Sequence, residues 1–197
     1  MEKIAEVKYP INELISRRWS PRIFDPDKLV DLDQVGSLFE AARWAPSCAN
    51  EQSWRFIVGV NFDKTHQMVI DTLSDGNKKW ASNCPILFIA IANQPDYEGK
   101  SFVHAEHDLG LALQNLLLQA IDLGMHAHLM AGFSADKVRR AFDVPDENKP
   151  LTAGAVGYYG DVRKADAGLR QKDEGLRSRK TFDQFVFSGR WGIPLGI

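Results

Sequence analysis

The strongest pattern in the chain is an apolar stretch from Leu109 to Leu123. Apolar residues recur there at spacings of three and four and also occupy most of the remaining circumference. That period is helical, and a helix that is apolar on nearly all sides is buried on nearly all sides. Gly124 is placed to end the helix. A thin polar seam remains along one face, formed by Asp108, Ala112, Asn115, Gln119 and Asp122. Because buried polar groups need partners, we expect the seam to pair with a neighbouring element or with a second subunit.

Shorter patterns predict the other elements. Pro85–Ala92 is continuously apolar, which favours a strand covered on both faces. Further strands are predicted at Arg55–Val60, Met125–Met130 and Leu151–Tyr159. Helices are predicted at Ile11–Arg18, from a cap at Asp31 or Asp33 to about Ala45, from a cap at Asp63 to about Leu73, and from a cap at Ser134 to about Phe142. Non-helical connections are predicted at Ser74–Asn77, Asn93–Phe102 and Arg163–Lys180. Because strands and helices do not alternate regularly, the predicted fold class is α+β.

The composition indicates a single domain, residues 1–197, with a substantial core. A net charge of −2 offers no long-range attraction to nucleic acid or to an anionic membrane. The charged segment Met1–Arg18 does not resemble a signal peptide, and the apolar helix is too short and interrupted to span a bilayer. Cys48 and Cys84 lack CxxC spacing, which favours a cytoplasmic protein and leaves one disulfide open.

Two basic clusters are candidates for binding an anion. Three arginines and a serine occur in Arg17–Arg22, and a second cluster is Arg177-Ser178-Arg179-Lys180. Arginine binds phosphate through a planar fork of donors, so two converging clusters would grip one phosphate group. Each cluster by itself is also typical of a solvated surface run, and that alternative stays open at this point.

The loop from Pro46 to Trp54, between a predicted helix and a predicted strand, is a second candidate. Its side chains at Ser47, Asn50 and Gln52 can present hydrogen-bonding groups to the edge of a heteroaromatic ligand. The same side chains would equally satisfy the backbone of the loop itself. The thiol at position 48 has no histidine nearby in sequence, which favours a small buried thiol over a nucleophile.

Two further patterns give weaker hypotheses. The histidines His104, His107, His126 and His128 suggest a metal site, but no HExxH or Cys/His framework accompanies them. The segment Gly154–Gly160 is rich in glycine without being GxGxxG, and a charged segment follows it. A dinucleotide-binding turn is therefore not favoured.

Four motifs spread along the chain occur in the order and spacing of a known family. They are Arg17–Phe24, Ala45–Phe56, Gln114-Asn115-Leu116 with the trailing Gly132-Phe133, and Arg179-Lys180 with Gly189-Arg190-Trp191-Gly192. Each is weak alone, but together they cover nearly the whole chain, which resembles the nitroreductase family of FMN-dependent NAD(P)H oxidoreductases. The resemblance implies an α+β sandwich with a central mixed or antiparallel sheet flanked by helices. It also implies an intertwined homodimer with the flavin at the subunit interface.

The resemblance further implies a set of cofactor contacts and no metal. Contacts to the FMN phosphate and ribityl chain are expected from Arg18, Trp19, Ser20, Arg22, Arg177 and Arg179. Contacts to the ring system are expected from Pro46, Ser47, Asn50, Asn77, Lys79, Ala131 and Gly132. No catalytic side chain is implied, because the flavin carries the chemistry.

The implied reaction is a ping-pong transfer of hydride. NADH or NADPH would reduce the flavin at N5, and an electron-poor acceptor such as a nitroaromatic or a quinone would reoxidise it. Ala131 replaces an acidic residue of some members, Ser53 replaces the usual proline, and the connection Asn93–Phe102 is short. Substrate preference is therefore the least transferable property. Two alternatives stay open: a flavin enzyme of the same scaffold with other reductive chemistry, and a flavin-binding protein with little turnover.

Overall fold

The computed structural model describes residues 2–93 and 103–197. Its strands are β1 (Trp54–Val60), β2 (Ile86–Asn93), β3 (His126–Met130) and β4 (Asn148–Gly157). The α-helices found in these residues are α1 (Glu13–Arg17), α2 (Leu32–Arg43), α3 (Lys64–Thr72), α4 (Asp75–Ala81), α5 (Ala105–Asp122), α6 (Ala135–Phe142) and α7 (Ala167–Glu174). In these parts of the chain, no helix has the length and apolarity needed to cross a membrane.

The four strands form one antiparallel sheet in the order β1-β2-β4-β3. The central strand β2 is buried along nearly its whole length, as its continuous apolar run predicts. Phe88 and its alternate neighbours pack against α2 and α5, whereas Leu87 and its alternate neighbours pack against α3, α4 and α6. The sheet thus carries a core on each face, which confirms the predicted α+β sandwich.

The apolar helix α5 lies in the core on one side of the sheet, as its pattern predicts. Gly124 follows it with a φ of 71°, a conformation that glycine adopts without strain. The polar seam pairs within the same chain: Asn115 Nδ2 donates to Ala41 O over 3.1 Å, and Gln119 Nε2 donates to Ser37 Oγ over 3.2 Å. For these two residues of the seam, the neighbouring element is therefore helix α2.

Local capping explains several helix starts. The Asp31 carboxylate accepts from Gln34 N over 2.7 Å and completes a capping box, which settles the choice between Asp31 and Asp33. The predicted caps Asp63 and Ser134 are confirmed at α3 and α6. The predicted turn Ser74–Asn77 is wrong, because all but its first residue belong to α4.

The prediction of a charged loop from Arg163 to Lys180 is also wrong, because this segment contains α7. Asp166 caps the helix by accepting from Gly168 N over 2.8 Å, and Gly175 follows its last residue. The polar connection predicted at Asn93–Phe102 lies outside the described residues except for Asn93, which ends β2. Both cysteines are free thiols. Cys84 is buried, but the prediction of a buried thiol at Cys48 is wrong, because this residue is exposed in the loop after α2.

Candidate cofactor site

The two basic clusters converge within one chain. Arg18, which follows α1, is half-buried, and its pKa is lowered first by burial and then by the positive charges of Arg177 and Arg179. Charges that shift one another in this way lie close together. Arg18 Nη1 also donates to Ser20 Oγ over 3.3 Å. The convergence that the sequence could only suggest is therefore present in the fold.

A cavity of about 350 Å³ opens at this cluster. Its basic and polar wall is formed by Arg18, Gln114, Arg177, Ser178 and Arg179. The N-terminal segment supplies an apolar wall and one acidic residue, Glu6. Although Glu6 is acidic, the charges that lower the pKa of Arg18 are those of Arg177 and Arg179. The cavity therefore concentrates positive charge. A concave site with several guanidinium groups suits a phosphate.

The two arginines of the second cluster have different surroundings. The Arg177 guanidinium donates to the carbonyl oxygens of Lys3, of Ser16 over 2.7 Å and of Arg18 over 2.9 Å. The exposed Arg179 guanidinium donates only to the adjacent Ser178 carbonyl, over 2.7 Å, among the bonds described for it. Arg177 therefore holds the backbone in place, and Arg179 is the cation available to a ligand.

The segment from Trp19 to Ile23 is fixed from behind. His128 Nδ1 donates to Pro21 O over 2.8 Å, and the His128 ring lies 4.7 Å from the Trp80 ring of α4. Burial lowers the pKa of His128, and the charges of Arg22 and Arg18 lower it further, so both arginine side chains lie near this ring. Through His128, the arginine segment is connected to the helix that carries Asn77.

Trp19 lies inside the protein. Its side chain is 5% exposed and packs edge-on against His126, at 5.5 Å, and against Tyr159, at 5.3 Å. Burial lowers the pKa of His126 to about 4, and burial with nearby Asp173 raises that of Tyr159 to about 12. This position does not support the prediction that Trp19 contacts the cofactor, because the indole instead anchors the arginine segment to β3.

A second group of predicted residues meets at the end of β3. Asn77 Nδ2 donates to Gly132 O over 3.0 Å, and Ser74 N donates to the same oxygen over 2.9 Å. A Cβ atom on Gly132 would lie 2.7 Å from Asn77 Nδ2, so only glycine leaves this contact undisturbed. Ala131 and Lys79 are exposed. The structure thus brings Asn77, expected at the pyrimidine edge of a flavin, into contact with Gly132, expected near its N5.

The loop after α2 is conformationally strained. Ala49, Asn50 and Gln52 all have a positive φ, of 51°, 60° and 50°. Such conformations cost free energy for residues other than glycine and cluster at functional sites. Ser47 Oγ supports the loop by accepting from Gln52 N over 3.2 Å. Pro46 and Asn50 are exposed and Ser47 is partly so, which leaves all three predicted ring contacts accessible.

This strained loop is held by the start of α5 and not by the arginine segment. The Asp108 carboxylate, 1% exposed, accepts from Cys48 N over 3.1 Å. Gln114, in the wall of the basic cavity, lies about 9 Å further along the helix and roughly 120° around it, given ordinary helix geometry. One chain therefore presents its strained loop and its basic cavity on different sides of α5. Trp54, at the end of the loop, is 8% exposed and belongs to the core.

Two supporting residues escaped the sequence reasoning. Asp173 was hidden in the presumed charged loop, although the capping Asp166 and the terminal Gly175 are the signals that would have predicted its helix. Asp108 was recognised only as part of the polar seam.

Across residues 2–93 and 103–197, no three His, Cys, Asp or Glu side chains come together as a metal site requires.

Comparison with known proteins gives a consistent result. A model of the nitroreductase family matches residues 15–61 and 60–158. An uncharacterised 15.4 kDa protein of Mycolicibacterium smegmatis is 34% identical over 149 residues, covering 72% of this chain and 99% of that protein. A Haemophilus influenzae protein provisionally named an NAD(P)H nitroreductase is 25% identical over 220 residues, covering 88% and 94%.

A solved structure matches over nearly the full length. The crystal structure of an FMN-containing oxidoreductase superposes with a TM-score of 0.89 at 31% identity, covering 94% of this chain and 95% of the other. The four motifs found in the sequence, the antiparallel sandwich and the family match all agree. The chain belongs to the nitroreductase family.

Proposed function

We propose that this protein is an FMN-dependent NAD(P)H oxidoreductase that reduces electron-poor aromatic or quinone acceptors. The observation that carries the proposal is the convergence of Arg18 and Arg179 on one cavity, and the pairing of Asn77 with Gly132 supports it. The FMN-containing oxidoreductase with a TM-score of 0.89 and the provisional NAD(P)H nitroreductase name support the cofactor and the electron donor.

The residues fit the phosphate end of FMN. Arg18 is half-buried beside two further cations. The repulsion among these positive charges is unfavourable, and a bound anion would compensate it. A phosphate would accept charge-assisted hydrogen bonds from Arg18 and Arg179, with the Ser20 hydroxyl as a neutral donor. Arg22, whose charge also reaches His128, would extend the positive field along the same segment.

The residues also fit the ring end. Asn77, fixed on Gly132, has a carbonyl oxygen left to accept from a heteroaromatic N–H. Gly132 has no side chain, so its backbone can approach a flat ligand closely. The exposed Lys79 would place a positive charge near the pyrimidine edge and stabilise negative charge on the reduced ring.

We further infer that the functional unit is a homodimer. The strained loop with Ser47 and Asn50 lies on a different side of α5 from the basic cavity of the same chain. A twofold dimer would place the loop of one subunit at the cavity of its partner. Apolar side chains exposed at both ends of the chain agree with such an assembly, including Ile11, Ile15, Phe185, Trp191 and Ile193.

In this account the chain contributes binding and electrostatics. FMN, when bound, supplies the hydride chemistry. Arg18 and Arg179 would hold the phosphate, Asn77 and Gly132 would set the depth of the ring, and Ser47 with Asn50 would close its other edge. No side chain needs to exchange a proton with the acceptor, because water can supply it at an open site.

The test is flavin binding by a double variant. Arg18→Ala combined with Arg179→Ala should lose bound FMN, because both charge-assisted partners of the phosphate are removed. Arg140→Ala combined with Arg163→Ala removes the same charge from exposed positions and should keep wild-type occupancy. Full flavin content in the purified first variant would refute the phosphate assignment. Turnover of nitrofurazone or menadione with NADH or NADPH then distinguishes the enzyme from a flavin-binding protein.

A further inference from the structure

The buried carboxylate of Asp173 is joined to the backbone of the arginine segment. The side chain is 1% exposed. Its two oxygens accept from Arg22 N over 3.0 and 2.9 Å, and one of them also accepts from Ile23 N over 3.1 Å. These bonds connect residues 150 and 151 positions apart in sequence. Two adjacent backbone N–H groups are thereby fixed, four and five residues after Arg18 of the basic cavity.

The same aspartate also lies just before the second basic cluster in sequence. Asp173 is the penultimate residue of α7, and Gly175 separates the helix from Arg177 and Arg179. Lys3 Nζ donates to Asp173 O over 2.6 Å and also to Gly175 O, which fixes this exit. From here the Arg177 guanidinium reaches back to Arg18 O. The two arginine segments are therefore connected twice. Asp173 binds the backbone of Arg22 and Ile23, and Arg177 binds the backbone of Arg18.

An ionised carboxylate in this position is not a simple stabilising feature. Burial raises the pKa of Asp173, although the two backbone donors and the charges of Arg22 and Lys3 act in the opposite direction. The pKa of Tyr159, in the segment after β4, is raised first by its own burial and then by the negative charge of Asp173. The fold thus keeps a costly charge buried, which points to a role in arranging the segment that it holds.

We propose that Asp173 is a positioning residue that sets the spacing between the two phosphate-binding arginine segments. The inference rests on the proposed function and deepens it. Asp173 does not touch the ligand. It holds the N–H groups of Arg22 and Ile23, so that Arg18, earlier in the same segment and bonded to Ser20, stays with Arg179 in the wall of the cavity at a distance that one phosphate can bridge.

The experiment compares FMN with riboflavin, which lacks the phosphate. Dissociation constants of both are measured by flavin fluorescence with wild-type protein, Asp173→Ala and Asp173→Asn. The wild type should prefer FMN strongly. Asp173→Ala should lower this preference at least about tenfold through weaker FMN binding, with riboflavin binding nearly unchanged. Asp173→Asn keeps one acceptor oxygen and should restore part of the preference.

Glu174→Ala is the matched control, because it removes the same charge from the adjacent, exposed position of α7. It should keep the wild-type preference. A purely structural role of Asp173 would weaken both ligands together, and an unchanged preference in Asp173→Ala would overturn the proposal. If the wild type itself does not prefer FMN, the proposed function fails first, and the two failures are distinguishable.

Hydrogen exchange provides a second test that needs no variant. In the wild-type protein, the amides of Arg22 and Ile23 should exchange at least about tenfold more slowly than solvent-exposed amides of comparable sequence. Exchange at unprotected rates would mean that the carboxylate does not hold the segment. Such exchange would overturn the proposal even if Asp173→Ala does not fold.

Discussion

Arg177 and Arg179 are two residues apart, yet the structure predicts opposite consequences for their removal. Arg177 donates to three backbone carbonyls, those of Lys3, Ser16 and Arg18, whereas Arg179 is exposed and donates only locally among its described bonds. Arg177→Ala would leave three carbonyls without their partner. Arg179→Ala would remove a cation that repels Arg18 and would leave the fold intact.

The expected magnitudes follow from these contacts. Three hydrogen bonds from a half-buried guanidinium, at about 1 kcal/mol each, give a loss of about 3 kcal/mol in the free energy of unfolding for Arg177→Ala. In a chain of this size that corresponds to a fall in Tm of roughly 6–12 °C. Arg179→Ala should change the stability by less than about 0.5 kcal/mol. It should instead weaken FMN binding by about 1.5–3 kcal/mol, which is roughly ten- to a hundredfold.

The assay is chemical denaturation of the flavin-free variants, paired with titration of FMN into each. Arg163→Ala, at an exposed position away from the cavity, serves as the control for loss of a single positive charge. The reasoning is refuted if Arg179→Ala destabilises the apoprotein as much as Arg177→Ala. It is also refuted if Arg177→Ala keeps full stability while losing FMN to the same extent as Arg179→Ala.

Three further predictions concern other parts of the molecule. In Gly132→Ala, the new Cβ would lie 2.7 Å from the side-chain nitrogen of Asn77 and displace it. FMN binding should weaken several-fold in titrations without a lower Tm. An unchanged affinity would contradict the role of this contact. Gly154→Ala should lower the free energy of unfolding by about 3 kcal/mol in denaturant titrations, because its Cβ would lie 2.0 Å from the buried Phe88 ring, and wild-type stability would contradict the packing. The stability should be highest above about pH 6.5 and fall toward pH 4, because the pKa of His126 is lowered to about 4 in the folded protein and the unfolded chain therefore takes up the proton first. His126→Phe should flatten this pH dependence of the free energy of unfolding. An unchanged slope in the variant would assign the dependence to other groups.

Much of the fold was predictable because its elements are locally determined. The helix around Leu109–Leu123 has a helical periodicity, the strand at Pro85–Ala92 is a short continuous apolar run, and the structure confirms both. The predicted caps Asp63 and Ser134 were correct, and each of these side chains accepts a hydrogen bond from a backbone N–H of the helix that it precedes. The helix α7 was missed because it has little apolar periodicity, so only its capping residues indicated it.

The candidate site was predictable to a lesser degree, because it depends on contacts between distant segments. Sequence alone suggested that the two basic clusters meet, and the family resemblance supplied most of the residues. It did not distinguish Arg177, which binds backbone, from Arg179, which is exposed toward the cavity. That distinction depends on where the carbonyls of residues 3, 16 and 18 lie in space. The burial of Trp19 likewise follows from its packing against β3 and not from its neighbours in sequence.

The visible spectrum of the purified protein tests the central claim most directly. After reconstitution with FMN and removal of free flavin, the protein should show the yellow flavin absorption. Anaerobic NADPH or NADH should bleach this absorption, and a quinone should restore it. A protein that stays colourless after reconstitution, or a yellow protein that neither nicotinamide cofactor reduces, would contradict the account.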